Sequence, residues 1–278
     1  MAARRYGDHL AGLRWLQDRL HAPRREPPPA RRRPPPAERP DVSQVVKRIW
    51  RAGKPLQPGD MAWRYLTESR GIALDKLPEV PVTLRVHPRL WSTLAERYYP
   101  AMVAAVSSIE GKLVAVHRTY LSAVDGRVDK APIADHRGPA GGAKRSLGPV
   151  LGNCIPLTRG GDGRPWHDPL PKSLLVIGEG IEDCLSIAVA RPEWRVACAV
   201  SLGNMRGLVL PAQITHVTVI AQNDAPGSKA AKLVAQIVAG FQQQGRKVTL
   251  LRPRDRQVKD VNDLARRGSH SQSERMSP

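Results

Sequence analysis

From Lys172 onward, short continuous apolar runs alternate with amphipathic stretches, and that rhythm predicts a parallel sheet. SLLVIG (173–178) reads as a buried strand, followed by a helix from Ile181 to Ala190. RVACAVSL supplies a second strand and HVTVIAQ (216–222) a third. A long helix from Ser228 to Gln244 leads to the strand KVTLLRP, and a last helix is predicted near Val261 to Arg266. Strand and helix alternating through short loops argue for a parallel sheet covered by helices on both faces.

Upstream, the pattern is different. Val42 to Pro100 is predicted mostly helical, with Val45, Val46, Ile49 and Trp50 on one apolar face. Trp63 and Leu66, with Tyr65 beside them, form another face before the stop at Arg70-Gly71. Residues 102–121 alternate apolar and polar around Glu110-Gly111, which predicts a hairpin, and Asp125-Gly126 marks a further turn. Residues 135–148 have the Gly, Lys and Arg content of a loop, and Gly160 to Pro171 that of an interdomain connection. Residues 1–20 read as a short amphipathic helix through Leu10, Leu13, Leu16 and Leu20. Residues 21–41, with eight prolines and six arginines, read as an extended linker, either a tether or a basic arm on phosphates. The Ser-rich residues 269–278 are expected to be a disordered tail. The fold class is therefore α/β: a smaller α+β domain over 42–170 precedes a C-terminal parallel-sheet domain over 171–268.

Composition narrows the partners. With 278 residues and 41% hydrophobic content, one or two domains with real cores are expected. Forty-four Lys+Arg against 25 Asp+Glu give +19, which favours a polyanion. Nucleic acid comes before membrane, because no stretch approaches the ~20 apolar residues of a spanning helix. Three cysteines without a CxxC pair exclude a disulfide framework and point to a reducing cytoplasm. Cys184 and Cys198 read as buried, inert thiols and His117 as a structural histidine. Six scattered tryptophans read as packing anchors rather than a base-stacking track. No GxxxxGK[ST] occurs, so the chain carries no P-loop motor.

Candidate chemistry collects where an open parallel sheet gathers ligands, beyond the carboxyl ends of its strands. Those ends carry Glu179, Asn223-Asp224 and the stretch from Asp260 to Asp263. Taken singly, each acid has an ordinary reading as a helix cap or surface carboxylate. Together they form a set of hard oxygen ligands suited to Mg²⁺ in a basic chain suited to a phosphate-bearing substrate.

GEGIEDCLS, SLGNM (201–205), AQNDAPGSKAA and VKDVNDL, in that order, resemble a Toprim domain over about Lys172 to Gly268. WRYLTESRGI, LRVHP, VAVHRTYLSAVDGRVDKAP and SLGPVLGNCIPL resemble the segment that precedes it in phage- and plasmid-type primases and primase-helicases. The resemblance implies a general acid or base at Glu179 and metal-holding carboxylates at Asp224, Asp260 and Asp263. The first of the family's paired aspartates falls on Gln222, an amide that brings no negative charge to a divalent ion. The resemblance further implies Mg²⁺, or Mn²⁺ in its place, and nucleotidyl transfer from nucleoside triphosphates on a single-stranded DNA template. Arg118, Lys130, Lys144 and Arg145 become candidates for triphosphate or template contact. The implied setting is replication of a mobile or phage-like element, with a separate helicase as partner. The rival reading is a catalytically weakened Toprim module that binds nucleic acid or a replication partner. Nuclease action would use the same acids.

Overall fold

The structure, a computed structural model, describes residues 41–266. The predicted helix at 1–20, the linker up to Pro40 and the tail at 269–278 lie outside the described residues.

Asp41 opens the described chain by accepting from the Ser43 N–H at 2.9 Å, capping helix α1 (Val42–Ala52). Val46, with Ile49 and Trp50 beside it, turns the apolar face of α1 onto the sheet that follows. Asp60 caps the short helix α2 (Met61–Arg64), which widens into a π turn over Tyr65–Ser69. Strands β1 (Lys54–Pro55), β2 (Leu84–Ser92), β3 (Arg97–Ser107), β4 (Leu113–Val124) and β5 (Arg127–Lys130) form an antiparallel sheet in that order. Strand β6 (Lys144–Leu147) pairs with β4 as well. The β3–β4 hairpin turns at Glu110-Gly111, as the alternation predicts. The β4–β5 turn uses Asp125 and Gly126, both at positive φ, the backbone of a type I′ hairpin.

Two expectations fail here. Residues 84–100 are not helical but supply β2 and the start of β3. A register shift between His87 and Leu90, at Pro88, interrupts the period-two pattern and hides the strand from a pattern reading. Lys144–Leu147 lies in the expected loop yet pairs along β4, because a short polar edge strand carries no apolar signal.

The C-terminal sheet runs β11-β10-β8-β9-β7, from β7 (Ile155–Pro156), β8 (Ser173–Gly178), β9 (Val196–Cys198), β10 (Ile214–Ile220) and β11 (Lys247–Leu251). All neighbours are parallel except β7, which joins antiparallel at the edge. Alternate residues serve two cores, as the pleat requires. Leu175, Ile177, Val217 and Val219 pack with Ile237 and Phe241 of α5 (Lys229–Gln243) and Met205 of α4 (Leu202–Arg206). Val176, Val196 and Ile220 face the other way, onto Cys184 and Leu185 of α3 (Ile181–Ala190). That second core is shared: Leu66, Met102, Ala104 and Val106 belong to the same cluster. The antiparallel half and α3 are thus packed face to face, and a cleft opens at their seam. Among the described residues, no helix is long and apolar enough to cross a membrane.

Candidate active site

Strand β8 ends at Gly178 because α3 presses on it. A Cβ at Gly178 would stand 2.8 Å from Cys184 Sγ and 3.2 Å from Ile220 Cδ1, so only glycine allows this approach. Glu179 follows at once, with its carbonyl accepting from Cys198 Sγ at 3.1 Å. Burial raises its carboxyl above the usual range, and the Asp224 charge adds to this. The Leu202 N–H and the charges of Lys144 and Lys259 pull the other way. After β9 the chain turns through Val200 at φ 70, a costly conformation for a β-branched residue, before Ser201 caps α4. Strain of this kind costs about 1–3 kcal/mol and collects at functional sites. Val200 and Ser201 both line the cleft.

The cleft holds about 700 Å³. Glu179, Glu182, Asp183, Asp260 and Asp263 line it from the parallel-sheet side, together with Gln222. Arg70, Lys130, Arg137 and Lys144 line it from the antiparallel side. Asp260 also caps the last described helix, α6 (residues 261–266), accepting from the Asp263 N–H at 2.8 Å. Asp224 does not line the cleft, but its charge reaches Glu179. Asn223 beside it donates to the carbonyls of Pro253, Asp255 and Val258, tying the strand end to the loop that delivers Asp260.

Of the four candidate cations, the structure brings Lys130 and Lys144 to the cleft and leaves Arg118 and Arg145 off its lining. Arg118 donates to the Ser146 carbonyl and the Tyr120 hydroxyl, both at 3.3 Å, and Arg145 pairs with Asp135 at 3.2 Å. By register, both stand on the opposite face of the sheet from His117 and Lys144, which turn toward the cleft.

The pattern reading missed Tyr65, Arg70, Glu182 and Asp183. Glu182 is 8% exposed, yet it accepts from Tyr65 Oη at 2.6 Å and pairs with Lys144 Nζ at 2.7 Å. Burial pushes its carboxyl up, but the Lys144 charge and the bonds from Lys144 and Tyr65 outweigh that and hold it well below the usual range. Arg70 continues the chain, donating to Tyr65 Oη at 3.1 Å and to Asp129 at 2.6 Å. Asp183 is pushed up to about 6 by burial and by the charges of Asp260 and Glu182, against the Asn262 N–H it accepts at 2.9 Å. A partial signal existed: Glu182 and Asp183 open α3 directly after Gly180, in the same GEGIED run as Glu179.

Among the described residues, no three His, Cys, Asp or Glu side chains converge tightly enough to form a ready-made metal cage. The like-charge crowding of Asp224 on Glu179, and of Asp260 and Glu182 on Asp183, is nonetheless what a divalent cation relieves. Such a donor set fits Mg²⁺, which keeps several waters and takes one or two carboxylates plus substrate phosphates.

His117, buried on β4, meets Ser146 Oγ at 2.9 Å, and burial drives its pKa down to about 3. Unfolded, it would titrate near 6.5. The unfolded chain therefore binds the extra proton between about pH 6.5 and 3, and stability falls with pH across that window. Replacing His117 with Gln is expected to remove about 2–3 kcal/mol of the acid-dependent loss between pH 6.5 and 4, read from urea midpoints. Parallel pH profiles of variant and wild type would contradict this origin. The cysteines Cys154, Cys184 and Cys198 are buried and free.

Residues 174–271 match the Toprim domain family, and residues 41–157 match a domain of unknown function, DUF7146. No curated protein sequence matches the chain. Among solved structures, the chain is similar to the primase fragment of the bacteriophage T7 primase-helicase protein, at 12% identity and a TM-score of 0.43, over 76% of this chain and 69% of that one. It is similar to a DNA primase domain from Pseudomonas aeruginosa at 12% identity and a TM-score of 0.48, over 84% and 77%. The E. coli primase catalytic core matches at 11% identity and a TM-score of 0.46, over 81% and 74%. The strand-end acids, the parallel sheet that carries them and the family match over 174–271 agree: the C-terminal part of this chain is a Toprim domain, preceded by a smaller domain that matches the DUF7146 model over residues 41–157.

Proposed function

We propose that the chain is a primase-type nucleotidyltransferase, extending a strand from nucleoside triphosphates on a single-stranded DNA template. The observation that carries this reading is the two-walled cleft, with Glu179, Asp260 and Asp263 facing Lys130, Lys144 and Arg70. Toprim domains generally bind divalent metal ions, and Asp260 and Asp263 on the cleft wall, with Asp224 beyond its lining, are the carboxylates from which one or two at a time would hold one here, Mg²⁺ or Mn²⁺. When bound, that ion would neutralise phosphate charge. Lys130 and Lys144 would orient the triphosphate from the opposite wall. The attacking 3′-hydroxyl oxygen forms a bond to the α-phosphorus as the bond to pyrophosphate breaks, and Glu179 accepts the hydroxyl proton. A carboxyl raised above its usual range is better matched to that exchange near neutral pH. The setting, replication of a mobile or phage-like element beside a separate helicase, is inferred from the primase resemblance of the sequence motifs.

Gln222 on the cleft wall favours a second reading, a module that binds nucleic acid without polymerising. Incubation with single-stranded DNA, labelled nucleoside triphosphates and Mg²⁺ or Mn²⁺ separates the two. Labelled oligonucleotides support the enzyme; intact DNA binding with no synthesis under either metal supports the binding module. Gln222→Asp adds one negative charge near the ion and is expected to tighten Mg²⁺ binding by about tenfold or more, since unit charges at 4 Å interact by about 4 kcal/mol at an effective dielectric near 20. Calorimetric titration checks this, and equal affinities would show that position 222 does not face the metal.

A further inference from the structure

Trp91 and Tyr98 do not behave as packing anchors. They sit opposite each other across the β2–β3 hairpin, 44% and 49% exposed, with ring centroids 5.0 Å apart in an edge-on arrangement. Their neighbours Leu90 and Tyr99 point the other way, into the core under α1. The Arg89 guanidinium lies 4.4 Å from the Tyr98 ring centre. Among the described residues Arg89 forms no salt bridge, so its charge is not committed to a carboxylate. By strand alternation, the exposed rings share a face with Met102, Ala104 and His117, the face on which the cleft opens. At the hairpin tip, Leu94 packs on the segment that continues to Lys144: a Cβ on Gly142 would stand 2.5 Å from Leu94 Cδ2.

We infer that Trp91, Tyr98 and Arg89 form a stacking platform for the bases of a single-stranded nucleic acid, upstream of the cleft on the same sheet face. Two adjacent aromatic rings left in water, with a guanidinium over one of them that no carboxylate pairs, offer π surfaces and a cation, the combination by which single strands are held without sequence preference. A net charge of +19 brings the polyanion to the surface, while the rings add what charge alone cannot, a requirement for bases. The platform deepens the template reading of the cleft but does not depend on catalysis there.

The test is equilibrium binding of a fluorescent 20-residue oligo(dT), an oligo(rU) of equal length and an abasic strand of equal charge, all without nucleotides. Trp91→Ala and Tyr98→Ala should each weaken binding of the base-bearing strands by about 5- to 100-fold and leave the abasic strand unchanged. The more affected of dT and rU identifies the strand as DNA or RNA. Trp91→Phe and Tyr98→Phe should bind nearly as wild type, and Trp91→Phe should lose part of the tryptophan quenching seen on titration. Arg89→Gln should weaken all three ligands and make the salt slope shallower by about one. Unchanged dT and rU affinity in the alanine variants overturns the proposal, as does an equal loss for the abasic strand. If an alanine variant fails to fold by circular dichroism, quenching identical in wild type and Trp91→Phe overturns it instead. Loss of self-association in sedimentation, with nucleic-acid binding intact, would make the patch a protein interface and also overturn it. A negative primer-synthesis assay leaves these binding results standing, so the two readings fail separately.

Discussion

Glu179→Gln is expected to lower primer synthesis by about 10²- to 10⁴-fold while DNA affinity stays at the wild-type value. The substitution keeps the shape at the end of β8 and removes only the group that exchanges a proton. The backbone there is fixed independently of the side chain, by the Cys198 thiol on the Glu179 carbonyl and by Gly178 wedged against Cys184. The amide can still accept from the Leu202 N–H, so the turn into α4 should survive. Loss of turnover without loss of melting temperature or DNA binding is therefore the expected signature. Full turnover in the variant would mean that the acids at the strand ends are structural. The pH profile adds a second check. Since burial and Asp224 raise the Glu179 carboxyl, the acid limb of the wild-type rate should lie above pH 4.5.

What the sequence discloses of this molecule depends on how local each feature is. The strands β8 and β10 are legible because a strand covered on both faces reads as a continuous apolar run, as in SLLVIG and HVTVIAQ. The β3–β4 hairpin is legible because Glu110-Gly111 places a turn between two alternating segments. Strand β2 is not, since its bulge at Pro88 breaks the alternation and leaves apolar residues at spacings a helix would also satisfy. The three-residue strand β9 is recognisable only as part of a longer run, and β6 only through its partner β4.

The site divides in the same way. Strand-end position alone brings attention to Glu179, Asp224, Asp260 and Asp263. The contact of Tyr65 with Glu182 spans 117 positions and has no local trace, and neither does the contact of Arg70 with Asp129. The candidate cations look alike in sequence, yet the register of β6 against β4 sends Lys144 to one face and Arg145 to the other. Exposure is the least local property of all. Trp91 and Trp166 are equally apolar in sequence, and only the packed structure buries one and leaves the other in water.

Lys144→Met is expected to destabilise the protein by about 3–5 kcal/mol, because it leaves the Glu182 charge buried without its partner. For a folded region of this size that corresponds to a fall in melting temperature of roughly 6–20 °C. The pair holds the seam between the antiparallel half and α3, where Glu182 takes bonds from Lys144 and Tyr65 together. The pH dependence should also change sign. In the wild type, the lowered Glu182 carboxyl contributes stability that is present above its unfolded pKa near 4.5 and is lost as pH falls below it. Without Lys144, burial dominates and the folded pKa rises above the unfolded one, so acid should favour folding of the variant as Glu182 takes up a proton. Urea unfolding of variant and wild type from pH 7 down to about pH 3.5, taken as the difference between the two so that the shared His117 contribution largely cancels, reads both effects. The double variant Lys144→Met with Glu182→Met should recover most of the loss, since apolar side chains of similar volume often replace a buried ion pair at little cost. Recovery of stability without recovery of primer synthesis would separate the two roles of Lys144, the fastening of the seam and the orientation of phosphate. A single Lys144→Met variant within about 0.5 kcal/mol of wild type, the scatter of ordinary surface substitutions, would show that Glu182 is already solvated and that the seam is held by its apolar core alone.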